Sequence, residues 1–129
     1  SPFFAPRLER MPQKIEHCKQ LIKQKDFTAF GELIEAEALE LHATMLTQTP
    51  PLLYWLPASL SVMRLVQQWR REENLPVYFT VNTGQDVHVL CEAEHRDEVE
   101  QRLQRLSVVK QTIVNQAASG AHMINEDLF

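Results

Sequence analysis

Glycine and cysteine are scarce in this chain, with three of the first and two of the second in 129 residues. Cys18 and Cys91 lie far apart and make no disulfide framework of the kind that staples small secreted domains. They read as reduced thiols of a cytosolic protein, although the sequence alone leaves a single bridge between them open. No apolar run exceeds a handful of residues and no basic-then-apolar signal opens the chain, so neither membrane insertion nor secretion is indicated. Dense Lys/Arg runs are absent too, and the formal net charge is -4. Binding to a phosphate backbone needs clustered positive charge, so the composition argues against nucleic acid as the main partner. His17, His88, His95 and His122 are scattered without a second ligand at metal spacing, so no zinc or iron site is expected. There is no internal repeat and no low-complexity tract.

What is present is an ordinary globular composition, 44% hydrophobic, enough for one core and one domain over residues 1–129. The chain has no initiator Met and opens on the apolar Ser1-Pro2-Phe3-Phe4, a poor free terminus. The expectation is a piece of something longer.

The segment 76–92, PVYFTVNTGQDVHVLCE, organises the rest. Two runs of alternating character, 77–82 and 87–92, flank the turn-forming Thr83-Gly84-Gln85-Asp86, which is the pattern of a β-hairpin. Val77, Phe79 and Val81 share one face; Tyr78, Thr80 and Asn82 share the other. Gly84 is expected to supply a positive φ, or a place where a ligand approaches the backbone closely. Asn82 and Asp86 flank the turn, and both types favour turns through their own local hydrogen bonds.

Helical spacing recurs elsewhere. Pro12 suits a first turn, followed by Ile15, Cys18, Leu21 and Ile22 and a basic end at Lys23 and Lys25. Asp26 caps a second helix whose apolar face is Phe27, Phe30, Ile34, Ala38, Leu41 and Met45, widened by Leu33, Leu39 and Leu46. His42 falls beside that face and reads as a packing histidine. Thr49-Pro50-Pro51 stops the helix. Leu52-Leu53-Tyr54-Trp55 reads as a short strand, its aromatics facing either the core or a cleft. Pro57 opens a third helix that ends before Asn74. A fourth spans about 95–106 with Val99, Leu103 and Leu106 inward, its charged run 94–100 being a solvated face. A last strand is expected over 108–115, a small-residue tail over 117–121, and a disordered or docked end over 125–129. The fold class is then α+β: a ferredoxin-like βαββαβ unit with an antiparallel four-stranded sheet, preceded by two helices.

Several of these stretches together resemble a known family. Ser1-Pro2-Phe3-Phe4, Phe30-Gly31-Glu32-Leu33, Glu37-Ala38-Leu39-Glu40-Leu41-His42-Ala43-Thr44, Pro50-Pro51-Leu52-Leu53-Tyr54-Trp55 and Pro76-Val77-Tyr78-Phe79-Thr80 are similar to the C-terminal lobe of diphosphomevalonate decarboxylases, within the galactokinase, homoserine kinase and mevalonate kinase (GHMP) group. The resemblance implies an enzyme that uses ATP and Mg2+ to phosphorylate the tertiary hydroxyl of mevalonate diphosphate, then loses phosphate and carbon dioxide to give isopentenyl diphosphate. It implies a cytoplasmic homodimer whose ATP and magnesium are held mainly by an N-terminal lobe absent from this chain. This chain alone would then be inactive.

One departure bears on chemistry. The family's hairpin tip reads Asp-Ala-Gly-Pro-Asn, its Asp near the reacting hydroxyl, and the aligned residues here are Asn82-Thr83-Gly84-Gln85-Asp86. By resemblance Asn82 and Asp86 are the candidate catalytic residues, with Thr83 and Gly84 binding substrate. An amide orients a hydroxyl but cannot accept its proton, and a positioned base is worth roughly 100- to 10,000-fold. Asp86 could restore the charge nearby. Two alternatives stand: a monophosphate decarboxylase or a kinase of mevalonate alone, and a non-catalytic ferredoxin-like module that binds a ligand or a second copy.

Overall fold

Local chemistry sets most element boundaries. In the computed structural model, which describes residues 1–120, the order is α1 (Phe4–Gln24), α2 (Phe27–Leu46), α3 (Pro57–Glu73), β1 (Val77–Val81), β2 (Val87–Cys91), a 3-10 turn (Ala93–His95) and α4 (Arg96–Gln104). The Asp26 side chain accepts the Ala29 N–H at 3.0 Å and so caps α2. Pro57 occupies the first turn of α3, and Asn74 ends that helix in the left-handed conformation at φ 56°.

Helix α1 differs from expectation. It begins at Phe4, with Pro6 in its first turn and Pro12 inside it. A proline inside a helix forfeits one backbone hydrogen bond. Docking on both sides of Pro12 offsets that loss: Arg7 pairs with Glu37 of α2 at 3.0 Å, and Lys14 bridges Glu37 and Glu40.

Helix α2 buries Ala38 and Met45 of the face its apolar spacing indicates, but the buried stripe is rotated toward Gly31, Glu35 and His42. Its buried residues are Gly31, Glu35, Ala38, His42 and Met45, while Phe27, Phe30, Ile34 and Leu41 are only half-buried. These five recur at helical spacing and run alongside β1. Gly31 meets the Tyr78 ring, since a Cβ built there would lie 2.2 Å from the ring's Cγ. Four residues on, the Glu35 carboxylate accepts the Phe79 N–H at 3.1 Å and both Arg70 amino groups, at 2.9 and 2.8 Å. Arg70 in turn donates to the Val77 carbonyl at 2.6 Å. The helix and the strand are therefore joined by the pair of buried Glu35 and half-buried Arg70 as well as by the apolar contacts of Ala38 and of Phe27 with Tyr78.

On the other side, Val77, Phe79 and Val81 join Val62, Met63, Val66 and Trp69 of α3 and Val99 of α4 in the main core. With Tyr78 also buried against Gly31, β1 is covered on both faces.

The four-stranded ferredoxin-like sheet is not found among the described residues. The sheet has two antiparallel strands, in register Val77↔Cys91 through Val81↔Val87. Residues 52–55 and 108–115 belong to no strand; Leu53 is 72% and Ile113 81% exposed, so neither segment has the neighbour that a ladder requires. What holds is the coarser class, α+β with helices against an antiparallel hairpin. The tail over 125–129, His122 and the last residue of the 117–121 segment lie outside the described residues.

Candidate functional site

The tip, residues 82–86, is exposed between two strands whose core-facing side chains are buried in β1 and half-buried in β2. The side chains of Asn82 and Asp86 make no hydrogen bond among the described residues, so the local turn bonds that would explain their presence structurally are absent. They are free to meet a ligand. Gly84 does not have a positive φ, which corrects the turn chemistry expected of it; a Cβ at that position would meet nothing within 4 Å. Thr83 lies exposed beside it. The tip thus brings Asn82, Thr83, Gly84 and Asp86 onto one projecting loop.

What fixes that loop comes from outside it. His42 of α2 donates from Nε2 to the Asn82 carbonyl at 2.9 Å, and Ser59, in the first turn of α3, donates to the Gln85 carbonyl at 3.4 Å. The His42 ring stacks on Trp55, centroids 4.6 Å apart. His42 was legible only as a packing residue; its link to the tip joins residues 40 positions apart, which no local pattern reveals. Ser59 carried no signal at all. The Trp55 indole N–H is buried without a partner among the described residues, and Tyr54 is half-buried next to it.

Neither of the two grooves best formed among the described residues takes in the tip. One groove, about 610 Å³, lies on the outer face of α3 around Leu60, Arg64, Gln68 and Arg71, and a smaller one lies at the α1–α2 junction around Leu21, Phe27 and Phe30. Among the described residues no cluster of His, Cys, Asp or Glu is placed to hold a metal ion. Asp86 is the only charged residue of 82–86. The residues present therefore do not fit a magnesium–phosphate site on their own. Cys18 and Cys91 are separate free thiols, and burial pushes the Cys91 thiol above its ordinary pKa.

A family model described as the mevalonate 5-diphosphate decarboxylase C-terminal domain matches residues 1–128. The chain belongs to that family. Among decarboxylase relatives, it is 35% identical over 101 residues to the phosphomevalonate decarboxylase of Haloferax volcanii, covering 78% of this chain and 31% of the relative. It is 30% identical over 100 residues to the diphosphomevalonate decarboxylase of Candida albicans, covering 77% of this chain and 27% of the relative. The solved mevalonate diphosphate decarboxylase of Enterococcus faecalis superposes with a TM-score of 0.76 at 37% identity, over 83% of this chain and 33% of that one. That protein has also been solved in complex with MVAPP, AMPPCP and magnesium. The chain thus spans about a third of the length of such relatives.

Proposed function

We propose that this chain is the C-terminal part of an ATP-dependent decarboxylase that converts mevalonate diphosphate to isopentenyl diphosphate. The family match over residues 1–128 carries the reading, and a supported polar tip with unbonded side chains is in keeping with it. In this reading the tip faces a cleft whose other wall, with the ATP and magnesium sites, belongs to an N-terminal lobe of the GHMP type. The assembled protein is a cytoplasmic homodimer. Its ferredoxin-like sheet is completed in the intact molecule by pairing at the outer edge of β2, which has no strand beside it among the described residues. No described helix is long and apolar enough to cross a membrane.

Within the cleft, Asn82 orients the tertiary hydroxyl through its amide oxygen, Thr83 and the open backbone at Gly84 contact the substrate, and Asp86 supplies the carboxylate that Asn82 lacks. If Asp86 takes over part of the base's role, Asp86→Asn lowers turnover by on the order of 100-fold. Unchanged turnover in Asp86→Asn, together with a sharp rise in Asn82→Asp, would remove that assignment.

A second reading has its own support. The 35% identity to a phosphomevalonate decarboxylase, close to the 37% to a mevalonate diphosphate decarboxylase, makes the monophosphate the alternative substrate. The intact protein, given ATP with mevalonate, its monophosphate or its diphosphate, separates the readings when carbon dioxide and ADP are followed independently. ADP without carbon dioxide means a kinase. Neither product from any of the three would leave a non-catalytic module.

A further inference from the structure

We propose that His42 and Ser59 are positioning residues of the reaction site, setting the tip by holding the two carbonyl groups at its ends. The inference rests on the reading of residues 82–86 as part of the active site, and deepens it by naming what fixes them.

The tip has few means of holding its own shape. Among the described residues no backbone hydrogen bond is made within 82–86 outside the strand ladder, no residue there has a positive φ, and the side chains of Asn82 and Asp86 have no bonding partner. A five-residue loop of that kind samples many conformations, whereas a reacting group must be held close to its productive geometry. The two bonds that restrain it come from separate helices: His42 Nε2 to the Asn82 carbonyl, and Ser59 Oγ to the Gln85 carbonyl.

Both donors are themselves fixed. His42 is 1% exposed and stacked on Trp55, and Ser59 is 5% exposed in the first turn of α3. Their helices are joined through the Glu35–Arg70 pair, which also grips β1 at Phe79 and Val77. The base of the finger and its tip are thus referred to one frame. Because a carbonyl only accepts, the His42 ring must carry a hydrogen on Nε2. The orientation of the Asn82–Thr83 peptide follows from that bond, and the direction of the Asn82 side chain follows from the peptide.

The first test needs no variant. In the intact protein, the His42 ring is expected by nitrogen NMR to be protonated at Nε2; a bare Nε2 with hydrogen only on Nδ1 overturns the proposal. Backbone order parameters at 82–86 are expected to fall from about 0.85 to below about 0.6 in Ser59→Ala, a change too small to unsettle α3. Unaltered order there also overturns it. In turnover assays His42→Leu is expected to lower kcat on the order of 10- to 100-fold at little cost in KM, while His42→Gln, which keeps an N–H near the Nε2 position, stays within a few-fold of wild type. Gln and Leu variants equally impaired, with parallel falls in melting temperature, would mean that the ring only fills space. Wild-type protein inactive on every substrate would defeat the proposed activity, and the two NMR readings would still decide whether the clamp exists.

Discussion

At the scale of single residues, glycine has its effect in a place the turn pattern does not indicate. Gly31 lets the Tyr78 ring lie against the α2 backbone, where a Cβ would sit 2.2 Å from the ring. The ring cannot retreat easily, because Phe27 packs edge-on at 5.4 Å and the Arg70 guanidinium lies 4.4 Å from its centroid. Gly31→Ala is therefore expected to lower stability in urea melts by roughly 1–3 kcal/mol despite the better helix propensity of alanine. Tyr78→Ala in the same chain should be less costly than the sum of the two single changes, since the clash is shared. Additive losses would mean that the ring and the helix do not compete for space. Glu35 makes the companion case. Glu35→Ala leaves Arg70 and the Phe79 N–H without their acceptor, and breaking a buried pair costs roughly 3–5 kcal/mol, less here because part of Arg70 is exposed to solvent. Replacing Glu35 and Arg70 together by apolar residues should be milder than Glu35→Ala in the same melts.

At the scale of elements, α1 is held to α2 by charge along one seam. Hydrogen bonding from Lys14 lowers the pKa of Glu40, against an opposing effect of burial and with help from the charges of Lys14, Arg10 and Arg7. Burial works against the Lys14 ammonium, but the hydrogen bonds and charges of Glu37 and Glu40 outweigh it and raise its pKa. A carboxylate lowered on folding stabilises above its ordinary pKa, and that stability is lost as pH falls through the lowered value. A raised ammonium stabilises below its ordinary pKa and loses that contribution as pH climbs through the raised one. The docking of α1 should therefore hold through neutral pH and weaken below the ordinary carboxylate range and above the ordinary lysine range. Circular-dichroism melts across these windows check this, with Lys14→Met expected to flatten both arms; an unchanged profile in that variant would assign the pH dependence elsewhere. The elements whose limits depend on near neighbours in sequence, such as the Asp26 cap, the Pro57 start, the Asn74 stop and the 77–91 alternation, were legible without the structure. The run of α1 through Pro12 was not, because docking on α2 overrides a local rule. The buried face of α2 was legible in part, through Ala38, Met45 and a packing His42; the burial of the charged Glu35 was not, since Arg70 and the Phe79 N–H, both distant in sequence, are what satisfy it. The same distance effect hid half of the candidate site, since Asn82 and Asp86 stand in a readable turn and their supports, His42 and Ser59, do not.

At the scale of the molecule, what is open matters as much as what is packed. Phe4, Leu8, Ile15 and Ile22 leave an exposed apolar line along α1, and Ile113 and Val114 are also in solvent. The sheet is open too. Val77 and Phe79 direct their backbone groups to Arg70 and Glu35, away from β2, so their cross-strand partners Cys91 and Val89 form non-hydrogen-bonded pairs and likewise turn their own N–H and C=O groups to the far side. Val87, opposite Val81, follows the same alternation. The outer edge of β1 is closed by a salt bridge, whereas that of β2 has no strand beside it among the described residues. If a ferredoxin-like sheet is completed in the intact protein, its next strand must add to β2, because β1 is already occupied. Amide exchange tests this directly: the N–H groups of Val87, Val89 and Cys91 should exchange rapidly in this 129-residue chain and be strongly protected in the intact molecule, while those of Tyr78 and Thr80, which face β2, are protected in both. Equal, fast exchange at the three β2 positions in both proteins would mean that the hairpin stands alone and that the four-stranded reading is wrong at the level of the intact protein.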